Sequence, residues 1–219
     1  MAFDLTQTDR LLTTTRSVRK RLDLTRPVER ETVLECLDVA LQAPTGGNTQ
    51  RWRWLVVDDA DLRARIADMY RRSWAPYIAA RTKEAEAAGL RQDDAVVGSA
   101  TYLAEHLHEV PVHVIPIALD RLPAGTDHPT VSGWYGSIIP AAWSFMLALR
   151  SRGLGSAWTT LHLYYEDEAA ELLGIPEGVA QIALLPVAYT VGDDFQPARR
   201  RPAAQVTYWN KWGQKSLTE

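Results

Sequence analysis

Apolar positions along the chain fall into blocks that alternate between helical and strand spacing. Leu11 and Leu12 suit a short amphipathic helix over residues 8–14. Thr25-Arg26-Pro27-Val28-Glu29 then resets the backbone, because the residue before proline avoids the helical region and proline suits a first helical turn. Beyond it Val33, Leu34, Leu37, Ala40 and Leu41 recur at three- and four-residue spacing, with Glu29, Glu31 and Glu35 near the end where the helix dipole favours acids. This predicts a packed core helix, stopped near Ala43-Pro44-Thr45-Gly46-Gly47. Trp52 to Val57 is aromatic and branched and reads as a strand closed by Asp58-Asp59. From Asp61 to Ala88 the spacing of Leu62, Ile66 and Met69 predicts a helix, which Pro76 is expected to break in two and Gly89 to end. A further helix is expected from Asp94 to Glu109.

Val112 to Leu119 is almost wholly apolar and reads as a strand, at an edge or irregular because Pro111 and Pro116 remove ladder donors. Arg121 to Val131 is a loop with Gly and Pro, either a lid or a plain connection. Gly136 to Arg152 carries Ile138, Ile139, Ala142, Trp143, Phe145, Met146 and Leu149, apolar around most of a helix, so burial on all sides is expected. Such a helix is either the centre of the core or a subunit interface. Gly153 caps it, Leu154 to Trp158 suits a short strand, and Asp167 to Leu173 a short acidic helix stopped by Gly174-Ile175-Pro176. Gln181 to Val191 gives the longest strand signal, and Tyr208, Trp209 and Trp212 mark the tail as a packing segment. Strands alternating with long helices imply a mixed sheet flanked by helices, in one domain over residues 1–219.

Composition narrows the function classes. With 46% apolar residues the 219-residue chain can bury one sizeable core. Its 24 basic and 27 acidic residues leave a net charge of −3, so no global field exists to hold nucleic acid or an anionic membrane. A single cysteine, Cys36, excludes an intrachain disulfide, a zinc ribbon and a CxxC redox pair, and is expected as inert core. The first residues show no basic segment followed by an apolar one, and no apolar run is long enough to span a bilayer, so a cytoplasmic protein is expected. Eight tryptophans are many for one core, which suggests an interface or a planar ligand.

Against that balanced charge, Thr13-Thr14-Thr15-Arg16-Ser17-Val18-Arg19-Lys20-Arg21 stands out. Guanidinium forks beside hydroxyls suit a phosphate, and Arg199-Arg200-Arg201 between Pro197 and Pro202 repeats the hint. Alone, these clusters are equally readable as solvated basic patches. In Gly46-Gly47-Asn48-Thr49-Gln50 two glycines permit close backbone approach, and the amides of Asn48 and Gln50 both donate and accept, as the edges of a planar heterocycle require. His106 and His108 are two apart, about 200° around a helix, which is the wrong spacing for a metal pair; no metal is expected, and His113 reads as packed. There is no G-x-G-x-x-G, no P-loop and no G-x-S-x-G.

Arg16-Ser17-Val18-Arg19, Ala43-Pro44-Thr45-Gly46-Gly47-Asn48-Thr49-Gln50-Arg51-Trp52, Gly153-Leu154-Gly155-Ser156-Ala157-Trp158 and Arg199-Arg200-Arg201-Pro202 together, in order and spacing, resemble the nitroreductase family. The resemblance implies an α+β fold with a central mixed, mainly antiparallel sheet flanked by helices, and a homodimer with FMN at the interface, built from both subunits. It implies that Arg16, Ser17, Val18 and Arg19 form the pattern holding the FMN phosphate and pyrimidine edge. Asn48 and Gln50 reach the flavin of the partner, Thr159, Thr160 and Leu161 bring backbone N–H groups towards flavin N5, and Arg200, with Arg199 beside it, binds phosphate. Thr15 stands where many relatives have an arginine, Arg51 where proline is usual and Ala198 where some have lysine. The activity implied is transfer of a hydride from NAD(P)H through the flavin to an electron-poor acceptor, a nitroaromatic or quinone, with the flavin and no protein acid or base carrying the chemistry. Two alternatives are a specialised dehydrogenase, dehalogenase or flavin-degrading member of the same fold, and a flavin-binding store or sensor without turnover.

Overall fold

The computed structural model describes residues 3–89 and 94–214. Its elements are α1 (Leu5–Thr14), α2 (Arg30–Ala40), β1 (Trp52–Val57), α3 (Ala60–Ala87), α4 (Asp94–His106), β2 (Val112–Ala118), α5 (His128–Gly136), α6 (Ile139–Ser151), β3 (Leu154–Ser156), α7 (Glu166–Leu173), β4 (Ala180–Gln181), β5 (Leu185–Tyr189) and α8 (Ala203–Val206). Short 3-10 turns cover Gly46–Asn48, Leu107–Glu109 and Leu161–Tyr165. The chain divides into two compact units, Thr15–Asp193 and a smaller one made of the described parts of residues 1–14 and 194–219. Among the described residues no helix is long and apolar enough to cross a membrane.

The larger unit is built on an antiparallel sheet in the order β1-β2-β5-β3, with β4 also paired to β2. It is therefore an α+β fold, as the resemblance implied. On one face α2 and α6 pack over β2, β3 and β5, joining Val33, Cys36, Leu37 and Ala40 to Val112, Val114, Phe145, Leu149, Leu154, Leu185 and Val187. Trp54 of β1 lies 5.6 Å from the Phe145 ring. On the opposite face of β2, His113 reaches the Leu107 carbonyl of the turn after α4 at 2.9 Å. Helices on both faces explain why every residue of β2 is buried.

Several expectations need correction. Of the two alternatives for β2, edge or irregular, the second holds: β2 is central in the sheet but bulged near Pro116. The carbonyl of Pro116 accepts from Ile182 N at 3.0 Å, so its nitrogen points to the same side, away from β1. There Val114 pairs with Leu185 but Ile117 with Gln181, leaving two residues of β2 opposite three of the returning chain. That bulge needs no donor from position 116, and it also splits the single strand expected over residues 181–191 into β4 and β5. Pro76 does not break α3, which runs unbroken for 28 residues. Pro76 and Arg72 are both exposed, so the carbonyl that loses its donor is solvated, and Asp59 caps the helix start by accepting from Leu62 N at 2.9 Å.

The helix expected over residues 136–152 is α6 alone, and a further helix, α5, occupies residues just before it, in part where a loop was expected over 121–131. Asp127 caps α5 through Thr130 N at 3.0 Å, and Pro140 occupies the first turn of α6. Nor is α6 covered all round within one chain: Phe145 and Leu149 are fully buried, while Ile139 and Trp143 are 40% and 43% exposed. In the smaller unit the Tyr208 and Trp212 rings lie 4.8 Å apart, tilted at 57°, and Trp209 N donates to Gln214 O at 2.7 Å.

Candidate functional site

The basic stretch is held as an added strand. Val18 N donates to Ser156 O at 2.8 Å, Ser17 bridges Ser156 in parallel, and Leu22 bridges Thr190. Val18 and Leu22 are buried and anchor the segment, while Arg16 and Ser17 stay exposed. Gly155 makes this seat possible. A Cβ there would lie 2.9 Å from Val18 Cβ and 2.8 Å from Thr190 Cγ2. Arg19, half-buried, reaches Ser99 Oγ of α4 at 3.4 Å and has no ion-pair partner among the described residues.

β3, whose Ser156 pairs with Ser17, leads on to Thr159, Thr160 and Leu161. Thr159 is buried and fixed to Leu184 by backbone bonds of 3.1 and 2.8 Å and by its hydroxyl, which donates to Leu184 O at 2.7 Å. Thr160 is exposed, and Leu161 turns inward to begin the 3-10 turn. Near Thr159 lies Tyr70 of α3, only 3% exposed. Burial pushes the Tyr70 phenol up to about 12, while the charge of Arg19 pulls weakly the other way. The structure thus brings Arg16–Arg19 and Thr159–Leu161 together on one sheet edge. Nothing in the sequence marked Tyr70 or Ser99 beyond ordinary helical spacing.

Asn48 and Gln50 sit at the opposite edge, ahead of β1. Three strand spacings separate β1 from β3, about 14 Å. Their turn is held tightly: Gly47, Asn48 and Gln50 have φ of 57°, 54° and 48°, Gln50 Nε2 donates to Asn48 Oδ1 at 3.0 Å, and Gly46 N donates to Ser137 Oγ at 3.0 Å. Left-handed backbone at two non-glycine residues costs about 1 kcal/mol each and is characteristic of ligand-facing turns. A cavity of about 300 Å³ opens beside it, lined by Thr49, Arg51, Trp52, Asp120, Trp134 and Ser137, with Trp134 Nε1 donating to Asp120 Oδ1 at 3.2 Å. Sequence reasoning missed it, because its walls come from three separate segments. Arg199 and Arg200 belong to the smaller unit, exposed ahead of α8, with Arg200 Nη1 donating to the Arg199 carbonyl at 3.0 Å.

The histidines do not form a metal site, and among the described residues no cluster of metal-ligating groups occurs. His106 Nδ1 lies 2.6 Å from Glu109 Oε1. His113 and His162 are both fully buried, and burial pushes each down to about 4. Beside them Glu166 is held below the usual carboxylate range: burial works against this, but bonds from Arg121 at 2.6 and 2.9 Å and from Gln181 N at 3.1 Å outweigh it.

Known proteins share sequence and fold with this chain. A 5,6-dimethylbenzimidazole synthase of Rhodospirillum rubrum is 33% identical over 140 residues, 62% of this chain and 61% of that enzyme's length. In fold, an iodotyrosine deiodinase bound to FMN and 3-iodo-L-tyrosine superposes with a TM-score of 0.68 at 23% identity, over 92% of this chain and 98% of the other. An FMN-dependent nitroreductase of Mycobacterium smegmatis in complex with NADPH gives 0.67 at 22% identity, over 95% and 100%. The motifs laid along the β3 edge and ahead of β1 all fall within residues 12–191, the stretch matched by the family model described as "Nitroreductase family", and the chain belongs to that family.

Proposed function

We propose that this chain binds FMN and acts as an oxidoreductase of nitroreductase type, drawing electrons from NAD(P)H and delivering them to an electron-poor small molecule such as a nitroaromatic or a quinone. The observation that carries the reading is the Val18–Ser156 pairing, which sets Arg16, Ser17 and Arg19 along the edge that continues into Thr159, Thr160 and Leu161. Such a donor set fits a phosphorylated planar ligand: cations and a hydroxyl at one end, backbone amides at the other. FMN, when bound, supplies the redox chemistry, taking a hydride at N5 and passing electrons on.

The chain's own residues bind and orient. Arg16 and Ser17 offer a guanidinium fork and a hydroxyl to the phosphate, with Arg199 and Arg200 as further donors. Arg19 carries charge that no carboxylate among the described residues neutralises, placed to favour added negative charge on the pyrimidine end. Thr160 and Leu161 turn their backbone towards the ring edge. Asn48 and Gln50, across the sheet, serve the flavin of a second copy, so the working unit is a homodimer, and the exposed Ile139 and Trp143 of α6 give it apolar surface to bury.

The test begins with the visible spectrum of the purified protein, identification of the chromophore by mass, and anaerobic titration with NADPH. A yellow, FMN-bearing dimer that NADPH bleaches and a nitroaromatic reoxidises is expected; colourless protein that FMN cannot reconstitute overturns the reading. Bleaching without turnover would indicate a flavin store. Arg16→Ala and Arg200→Ala should weaken FMN binding about ten- to a hundredfold, the worth of a charge-assisted contact, whereas Arg81→Ala, an exposed α3 residue paired with Glu84, should not. Similarity to the synthase and deiodinase favours a second reading, a dehalogenase or flavin-degrading specialist. It would show as halide release, or as flavin loss when the reduced protein meets oxygen.

A further inference from the structure

We propose that the cavity beside the turn over residues 46–50 is a binding site for a small planar aromatic carboxylate, with Arg51 holding the carboxylate and Trp134 walling the ring. This names the acceptor class of the proposed oxidoreductase and rests on that reading for turnover only; the binding itself is independent of it. The cavity measures about 300 Å³, the lower end of the range for small-molecule sites, which suits one ring or two fused rings and not a dinucleotide. Its floor is apolar. Trp52, Ala118 and Ile138 are all buried and belong to one cluster of the core, against which Trp134 packs. Such a floor takes a flat apolar body and leaves the choice of charge to the rim.

The rim carries two charges, and only one of them is left to a ligand. Leu119 N donates to the Arg51 carbonyl at 3.0 Å, so the pairing of β1 with β2 runs on to the point where Arg51 and Asp120 meet. There Arg51 Nε lies 3.4 Å from Asp120 Oδ2, and Trp134 Nε1, which can only donate, gives its proton to Asp120 Oδ1 at 3.2 Å. Both carboxylate oxygens are thus engaged within the chain. The terminal nitrogens of Arg51 make no hydrogen bond among the described residues, and its side chain is 56% exposed. A guanidinium fork steadied at Nε and open at its outer edge matches a carboxylate in plane and in spacing. Ser137 and Ile138 line the same cavity and lead into α6, whose start no side chain caps, so the positive end of a 13-residue helix adds to the preference for an anion. Asn48 and Gln50 of the adjoining turn serve the flavin of a second copy in the proposed dimer, so a ring bound here lies beside that flavin.

The experiment titrates the apoprotein and the FMN-loaded protein calorimetrically with benzoate, with benzamide as its neutral counterpart, and with cyclohexanecarboxylate, which has the charge without the flat ring. Benzoate should bind the parent about tenfold tighter than benzamide, the lower end for a charge-assisted contact because Arg51 is exposed, and high salt should narrow the margin. Cyclohexanecarboxylate should bind several-fold more weakly than benzoate. Arg51→Gln should bring benzoate and benzamide to parity. Asp120→Asn, which keeps an acceptor for Trp134 and frees Arg51 of its counter-charge, should tighten benzoate. With NADPH as donor, 4-nitrobenzoate should show a lower KM than 4-nitrobenzamide, a difference that Arg51→Gln abolishes. Equal binding of benzoate and benzamide by the parent, an unchanged margin in Arg51→Gln, or weaker benzoate binding by Asp120→Asn overturns the proposal. If Asp120→Asn fails to fold, the margin in Arg51→Gln decides. If the protein takes up no FMN, or binds benzoate and leaves 4-nitrobenzoate unreduced, the oxidoreductase reading falls, while titration of the apoprotein still decides the cavity.

Discussion

Gly153 and Gly155 are two residues apart, and the fold needs them for unrelated reasons. Gly155 has no left-handed backbone; its constraint is space. A Cβ placed there meets Val18 Cβ at 2.9 Å, Val18 Cγ2 at 3.0 Å and Thr190 Cγ2 at 2.8 Å. Relief requires the strand bearing Val18 to draw back from β3, which stretches the 2.8 Å bond from Val18 N to Ser156 O. Overpacking of this kind costs about 1–3 kcal/mol and the weakened bond up to about 1 more. Gly153, by contrast, has φ +76° and nothing within 4 Å of an added Cβ, so alanine there costs about 1 kcal/mol of backbone strain and moves nothing. Urea titration of the apoproteins at one fixed concentration should show a midpoint lowered in both, more in Gly155→Ala. FMN affinity should separate them: about tenfold weaker or worse in Gly155→Ala, because Arg16, Ser17 and Arg19 ride on the displaced strand, and unchanged in Gly153→Ala. Equal destabilisation with parental FMN binding in both variants would refute the claim that Gly155 seats the basic strand.

Between pH 6.5 and 4 the protein should lose stability through His113 and His162. Each is buried neutral with its folded value near 4, so the unfolded chain binds more protons in that window, and full stability holds above pH 6.5 and falls as pH drops towards 4, by at most about 3 kcal/mol per histidine. Urea midpoints at pH 7.5, 6 and 5 measure it, and His162→Leu should flatten the profile. Cys36, fully buried with its thiol pushed up to about 11 by burial, should resist a thiol reagent at pH 8 until urea unfolds the chain. Rapid labelling of native protein would place it wrongly. Arg121→Ala should cost about 2 kcal/mol in a urea titration, since it leaves the half-buried Glu166 with only Gln181 N as donor to its carboxylate, whereas Arg81→Ala should stay within about 0.5 kcal/mol.

Local pattern located most elements of the larger unit and failed where a proline's effect depends on its neighbours. α2, β1 and α7 matched their apolar spacing and stop signals, with Gly174 left-handed at φ 67° as the cap of α7. Pro76 and Pro116 were read by the rule that each removes a donor, which is true, but the rule does not say whether a donor is wanted. At Pro76 the freed carbonyl faces water, and at Pro116 the missing N–H falls in a bulge that forms only when residues 182–184 return alongside β2. Helix α5 was legible in principle. Asp127 with Thr130 is an ordinary start signal, concealed by the Gly and Pro residues around it that read as a loop.

The candidate site divides along the same line. Arg16, Ser17, Arg19, Asn48 and Gln50 announce themselves because a polar group with no core to fill needs a reason on the surface, and the composition leaves few such clusters. The residues that hold them are silent. Gly155 looks like any glycine in a strand until Val18 and Thr190 arrive from residues 137 before to 35 after it, and Ser99 looks like one more polar position of α4 until Arg19, 80 residues earlier, comes within 3.4 Å of its hydroxyl. Spacing within one element records what that element buries, not which hydroxyl waits across the gap. A side chain that binds a ligand can be named from its chemistry, but one that positions the binder can be named only from the meeting of two segments, and that meeting is a property of the folded chain.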